Sequence, residues 1–190
     1  MATVTVSRRD IIQGPSLFQR LFTDVRAAWL WLPIRLWLGY QWIEAGSHKV
    51  TNPAWTETGL ALKGFWTNAV AMPEGGRAPI AFDWYRSFIQ GLLDAEAYTW
   101  FAKLVAYGEL LIGIGLIVGA VVGVTAFFAA FLNWNFMMAG SASTNPLLFV
   151  IALSLLLAWR VSGQIGVDYV LFNRERVLSR LGKLRPQTSQ

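Results

Sequence analysis

The chain has 190 residues, 55% of them hydrophobic, 14% charged and 14% aromatic, with ten tryptophans and a net charge of +5. This balance is that of a small integral membrane protein rather than a soluble domain. Cysteine is absent and His48 is the one histidine, which excludes disulfides, thiolate metal sites, iron–sulfur ligation, thiol nucleophiles and a haem held by two histidines of this chain.

At the amino terminus, Ser7-Arg8-Arg9-Asp10-Ile11-Ile12 resembles a twin-arginine export signal. The apolar segment that follows contains Arg35 and several tryptophans and ends without a small-residue cleavage site. The two arginines are therefore read as holding the amino terminus inside.

The first span is expected over residues 27–46, long enough to cross a bilayer. Arg35 lies near its middle, where a charge is expensive and is retained for a reason. Arg35, Gly39, Trp42, Gly46 and Lys49 follow one another at spacings of 4, 3, 4 and 3, which puts all five on one helical face. Glu44 and His48 share a second face near the outer interface, where a histidine beside a carboxylate suits proton transfer.

Residues 47–100 form a long connection. Leu62, Phe65, Trp66, Ala69 and Val70 recur at helical spacing, as do Tyr85, Ile89, Leu92 and Leu93. They predict short amphipathic helices on the outer surface, either a packed cap or a lid over a site.

The second span is expected over 101–123 and the third over 125–140. Residues 104–140 are too long for one crossing at ~1.5 Å per residue through a ~30 Å core, so a tight hairpin is predicted near 123–125. Glu109 falls at a depth similar to Arg35, and an Arg35–Glu109 pair is predicted, serving either chemistry or structure. Gly115, Gly119 and Gly123 form a small-residue ridge, facing another span or a second copy of the chain. Asn133 and Asn135, two apart on a helix, project to nearly opposite sides; one is expected to face the Arg35 layer. Ser141 to Pro146 reads as an outer turn, with Thr144 or Asn145 capping a fourth span over 146–161, where Ser154 lies at the depth of the polar layer.

Orientation follows from the basic residues. Residues 1–26 carry four and residues 160–190 carry six, whereas residues 47–100 carry four basic against five acidic side chains. Both termini are therefore expected in the cytoplasm. The predicted fold is all-α: an integral membrane four-helix bundle forming one domain over 1–190, with cytoplasmic tails 1–26 and 162–190 and a long extracytoplasmic loop between spans 1 and 2. The basic charge is accounted for by topology, and no nucleic-acid partner is expected.

Several of these positions carry a family resemblance. Arg35-x3-Gly39-x6-Gly46-x2-Lys49, Tyr107-Gly108-Glu109, the run from Asn133-x-Asn135-Phe136-Met137-Met138-Ala139-Gly140 to Asn145-Pro146, and Gly163-x2-Gly166-x-Asp168 resemble the DoxX/DoxD family of four-span membrane proteins. Asp83-Trp84-Tyr85-Arg86-x-Phe88-Ile89 is similar to the branch described as the large subunit of thiosulfate dehydrogenase (quinone). Tyr169 departs from the pattern, since many relatives carry arginine after the aspartate.

The resemblance implies a component of a quinone-linked oxidoreductase in a bacterial or archaeal cytoplasmic membrane, oxidising thiosulfate to tetrathionate and passing electrons to quinone. Quinone would be a substrate, and no metal or haem ligand set is evident. On this reading Arg35 and Glu109 handle protons at the quinone headgroup, among aromatic side chains such as Trp42 and Tyr107. His48, Lys49, Arg77 and Arg86 supply cations for the thiosulfate dianion, and Asn133 and Asn135 complete the candidate substrate-binding set. The competing reading is a non-catalytic subunit that anchors or assembles a membrane redox complex.

Overall fold

A computed structural model describes residues 16–74, 76 and 78–173. Arg77, the twin arginines and the basic tail beyond residue 173 lie outside the described residues. Within them every element is helical: α1 (Ser16–Thr23), a short 3-10 turn (Val25–Ala27), α2 (Ala28–Val50), α3 (Pro53–Thr56), α4 (Leu60–Val70), α5 (Asp83–Asp94), α6 (Tyr98–Val118), α7 (Val122–Met138), α8 (Asn145–Leu157), α9 (Trp159–Ser162) and α10 (Val167–Phe172).

The four longest helices form two closely packed antiparallel pairs, α2 with α6 and α7 with α8. Glycine sets the first pair. A side chain at Gly46 would collide with the Leu110 backbone, and one at Gly113 with Ile43 and the Gly39 carbonyl. The helices approach to backbone contact there, which maximises dispersion between them. α2 buries Ala28, Trp31, Arg35, Leu38, Gly39, Trp42 and Gly46, the face anticipated from the 4-3-4-3 spacing down to Gly46.

Two cores result. Leu38, Trp42, Leu116, Ala126, Ala130 and Leu155 belong to the bundle core. Leu62 and Trp66 of α4, Tyr85 and Ile89 of α5, and Tyr98 and Ala102 of α6 form a second. The predicted amphipathic periodicities of the connection thus become real buried faces on α4 and α5. Tyr98 and Ala102 show that α6 begins earlier than the expected residue 101 and gives its first turns to the cap rather than to α2.

α6 is the one described helix long and apolar enough to cross a membrane, with 21 residues and a mean hydropathy of 1.9 in its most apolar window. α7 and α8 are shorter apolar helices. The bundle exterior is apolar as well: Leu111, Phe127, Val150 and Leu157 are all exposed.

The hairpin between α6 and α7 turns at Gly119 to Val121, four residues before the expected place. Gly119 has φ +67° and Val121 φ +44°, the left-handed region that glycine enters freely and a β-branched residue enters at a cost. The predicted glycine ridge is divided by this turn. Side chains at Gly115, Gly119 and Gly123 would meet Thr125, Arg35 and Trp159 respectively, so all three face their own chain.

Candidate functional site

A cavity of about 500 Å³ lies at the end of the bundle next to α3 and α4. α2 contributes Trp42 and Lys49, α6 contributes Glu109, α7 contributes Asn133 and Phe136, and Trp55 and Phe65 reach in from the connection. Lys49 Nζ stands 2.5 Å from Glu109 Oε2, with Glu109 almost fully buried and Lys49 partly so. The ammonium also sits 5.3 Å from the Trp55 ring centre and 5.9 Å from that of Phe136. Two aromatic faces and a carboxylate together offset part of the cost of withdrawing this cation from water.

Beside the ion pair are polar groups with no partner in the protein. The Trp42 indole Nε1–H and both amide atoms of Asn133 are buried and make no hydrogen bond. Trp42 is 3% and Asn133 0% exposed. An unpaired buried amide costs about 1–3 kcal/mol, and an apolar side chain at residue 133 would avoid that cost. Two unpaired donors and one unpaired acceptor thus belong to residues that line the cavity, next to a cation and a carboxylate, between aromatic walls. That set matches a planar ligand bearing carbonyl or hydroxyl oxygens.

The predicted Arg35–Glu109 pair does not form. Arg35 Nη1 donates to the Ser162 carbonyl at 2.6 Å and Nη2 to the Ile165 carbonyl at 2.7 Å, and the guanidinium lies against Gly119. Glu109 is ten residues from Gly119 along α6, roughly 15 Å at 1.5 Å per residue. The stagger is the reason: Gly46 is level with Leu110, so Glu109 meets the last turns of α2, where Lys49 reaches it. Hydropathy locates an apolar segment but carries no information on how far two helices slide past each other.

Arg35 instead completes a junction at the opposite end of the bundle. Asp168 Oδ1 accepts from the Val121 N–H at 2.6 Å and Oδ2 from the Val122 N–H at 2.8 Å, while the Asp168 N–H donates to the Gly119 carbonyl at 2.9 Å. One carboxylate thus satisfies the first amides of α7 and fixes its tight turn. Close packing of Gly166 on Gly119 and of Gly163 on Asp168 accounts for the Gly163-x2-Gly166-x-Asp168 spacing.

The remaining candidates separate. Asn133 and Asn135 do project apart, but Asn133 faces the Lys49–Glu109 cavity rather than Arg35. Asn135 Oδ1 accepts from the Tyr85 hydroxyl at 3.0 Å, which ties α5 to α7. Burial pushes the Tyr85 phenol up to about 12. His48 is exposed and does not line the cavity, whereas Glu44, one turn earlier, does. Arg86 pairs with Asp83 at 2.5 Å on α5. Among the described cation candidates, Lys49 alone enters the cavity. Ser154 donates to the Val150 carbonyl of its own helix at 2.8 Å and joins no polar layer. Tyr107 is half exposed. The part played by Trp55 was not foreseen, although it follows α2 closely enough for its ring to reach Lys49.

No known family model, curated protein or solved structure matches this chain.

Proposed function

We propose that this chain is the membrane component of a quinone-linked oxidoreductase and that the cavity beside Glu109 receives the quinone headgroup. The observation that carries the reading is the group of unpartnered polar atoms, Trp42 Nε1 and the Asn133 amide, set beside the Lys49–Glu109 pair. In this reading α2, α6, α7 and α8 are the four spans, both termini are cytoplasmic, and α3, α4 and α5 cover the outer end. The apolar exterior of the bundle and the basic residues of the two tails support that placement.

Trp42 and Lys49 would donate to a quinone carbonyl, and Asn133 would hold either the quinone through its NH2 or the quinol through its carbonyl. Glu109, bridged to Lys49, is the acid–base group nearest the headgroup. The resemblance to the DoxX/DoxD family supports thiosulfate as donor: two thiosulfates join through a new S–S bond and release two electrons. The quinone takes both with two protons and becomes quinol. No protein thiol is required.

One observation favours an anchoring subunit within the same framework. The cavity offers a dianion one cation, Lys49, already engaged by Glu109, which suits oxidation of the sulfur donor on a partner subunit.

Membranes containing the protein, supplied with thiosulfate and a short-chain quinone, are expected to reduce the quinone, and Asn133→Leu should lower the rate more than tenfold. Tight quinone binding without reduction, together with a co-purifying subunit in mild detergent, would select the anchoring form. Failure of the purified protein to bind quinone at all would sink the headgroup assignment.

A further inference from the structure

A second pair of cavities lies at the other end of the bundle, away from the candidate quinone site. One, of about 370 Å³, is lined by Trp159, Arg160, Gln164, Asp168 and Asn173. The other, of about 310 Å³, is a groove between α7 and α8 formed by Val121, Val124 and Leu156. Both touch Trp159 and Asp168, so a cleft bordered by polar side chains continues into an apolar groove across one indole ring. Gly123 lies in van der Waals contact range of that ring, where a side chain would be tight.

The charge in the cleft is cationic in effect. Asp168 has both oxygens occupied by the Val121 and Val122 amides, and Arg35 lies close enough to act on it electrostatically. Arg160 is placed over the Trp159 ring at 5.1 Å and pairs with no carboxylate among the described residues. Gln164 and Asn173 each donate one amide hydrogen to a backbone carbonyl of their own segment and keep a second for a ligand.

We propose that this composite cleft binds one anionic glycerophospholipid, its phosphate against Arg160, Gln164 and Asn173 and an acyl chain along Val121, Val124 and Leu156. The charge of the cleft and its continuity with the groove select an amphiphile with an anionic head over a free anion or a neutral lipid. An arginine over an interfacial tryptophan is well suited to that boundary. The proposal rests on the membrane placement given above and not on the quinone assignment.

The test uses the full chain in detergent, titrated separately with phosphatidylglycerol, phosphatidylcholine and glycerol 3-phosphate, with bound lipid counted by native mass spectrometry. Phosphatidylglycerol should bind one to one and with clear preference. Arg160→Gln should weaken it about fivefold, as expected for one cation near an anionic surface, and Val124→Phe, filling the groove, should weaken it as well. Arg174→Gln with Arg176→Gln serves as the control for diffuse attraction by the tail and should change affinity less than Arg160→Gln. The proposal is overturned if phosphatidylcholine binds equally, if glycerol 3-phosphate competes as strongly as the lipid, or if the tail variant matches Arg160→Gln. Quinone binding by Arg160→Gln should stay at the wild-type level, so the two sites fail or stand separately.

Discussion

Lys49 reaches back from the last turn of α2 to meet Glu109 at 2.5 Å, in the middle of α6 and against the wall of a cavity of about 500 Å³. Removing Lys49 leaves the Glu109 charge buried alone, which costs about 3–5 kcal/mol, and removing Glu109 strands the partly buried ammonium at up to that cost. Lys49→Met and Glu109→Leu should each lower thermal stability in detergent by that order, while the double variant should recover most of the loss. Additive losses in this double-mutant cycle would mean that the pair is not coupled.

Asn133 gives the opposite sign for stability and for binding. Its amide has no partner in the protein, so Asn133→Leu removes a cost of roughly 1–3 kcal/mol. The variant should be as stable as wild type or more so, while losing quinone affinity as read by quenching of tryptophan fluorescence. A variant that is strongly destabilised would mean the amide serves packing.

For Arg35 the expectation is structural. Two carbonyls receive its two terminal nitrogens, an arrangement a lysine, with a single nitrogen, reproduces poorly. Arg35→Lys should be nearly as destabilising as Arg35→Ala, by about 2–4 kcal/mol given a buried charge and two unpaired carbonyls. Quinone affinity of the folded fraction should be unchanged.

The turn at Gly119 should tolerate substitution least. Its φ is +67°, and a Cβ there would lie 2.5 Å from Arg35 Nη1. Gly119→Ala should therefore destabilise more than Asp168→Asn, which retains one oxygen for the α7 amides; Asp168→Ala, losing the cap, should cost about 1–2 kcal/mol. Comparing melting temperatures of the three variants checks the order.

Tyr85 sets a pH limit on the cap. Its phenol ionises at about 12 in the folded chain against 10 for the free group, with burial as the cause. Below pH 10 both states are neutral and the stabilisation is complete. Between pH 10 and 12 the unfolded form ionises first, so stability falls through that window. Hydrogen exchange in α5 should accelerate there in wild type, and Tyr85→Phe should abolish this component.

Much of the architecture was legible because periodicity reports faces. The buried side of α2, the amphipathic faces of α4 and α5, and the divergence of Asn133 from Asn135 all follow from which residues recur at three and four. Pairing across helices was not legible in the same way. The α2–α6 stagger depends on Gly39, Gly46 and Gly113 letting backbones touch, and nothing in the Arg35 or Glu109 segments alone states the offset. The hairpin departs from its expected position for a related reason: Gly123 makes room for the Trp159 ring, and Gly119 supplies the positive φ. The described cation candidates separate because each was assigned by charge, while His48 stays exposed and Arg86 pairs with Asp83.

The two carbonyls that receive Arg35 come from Ser162 and Ile165, 127 and 130 positions further along the chain, and the carboxylate that caps α7 comes from Asp168. Synthesis from the amino terminus therefore delivers the guanidinium long before its acceptors. Until the last helical segments arrive, the nascent chain carries an uncompensated cation in its first apolar helix and an uncapped turn in its hairpin. Truncation ahead of Ser162 would leave the guanidinium without its two carbonyl acceptors and the α7 turn without its carboxylate.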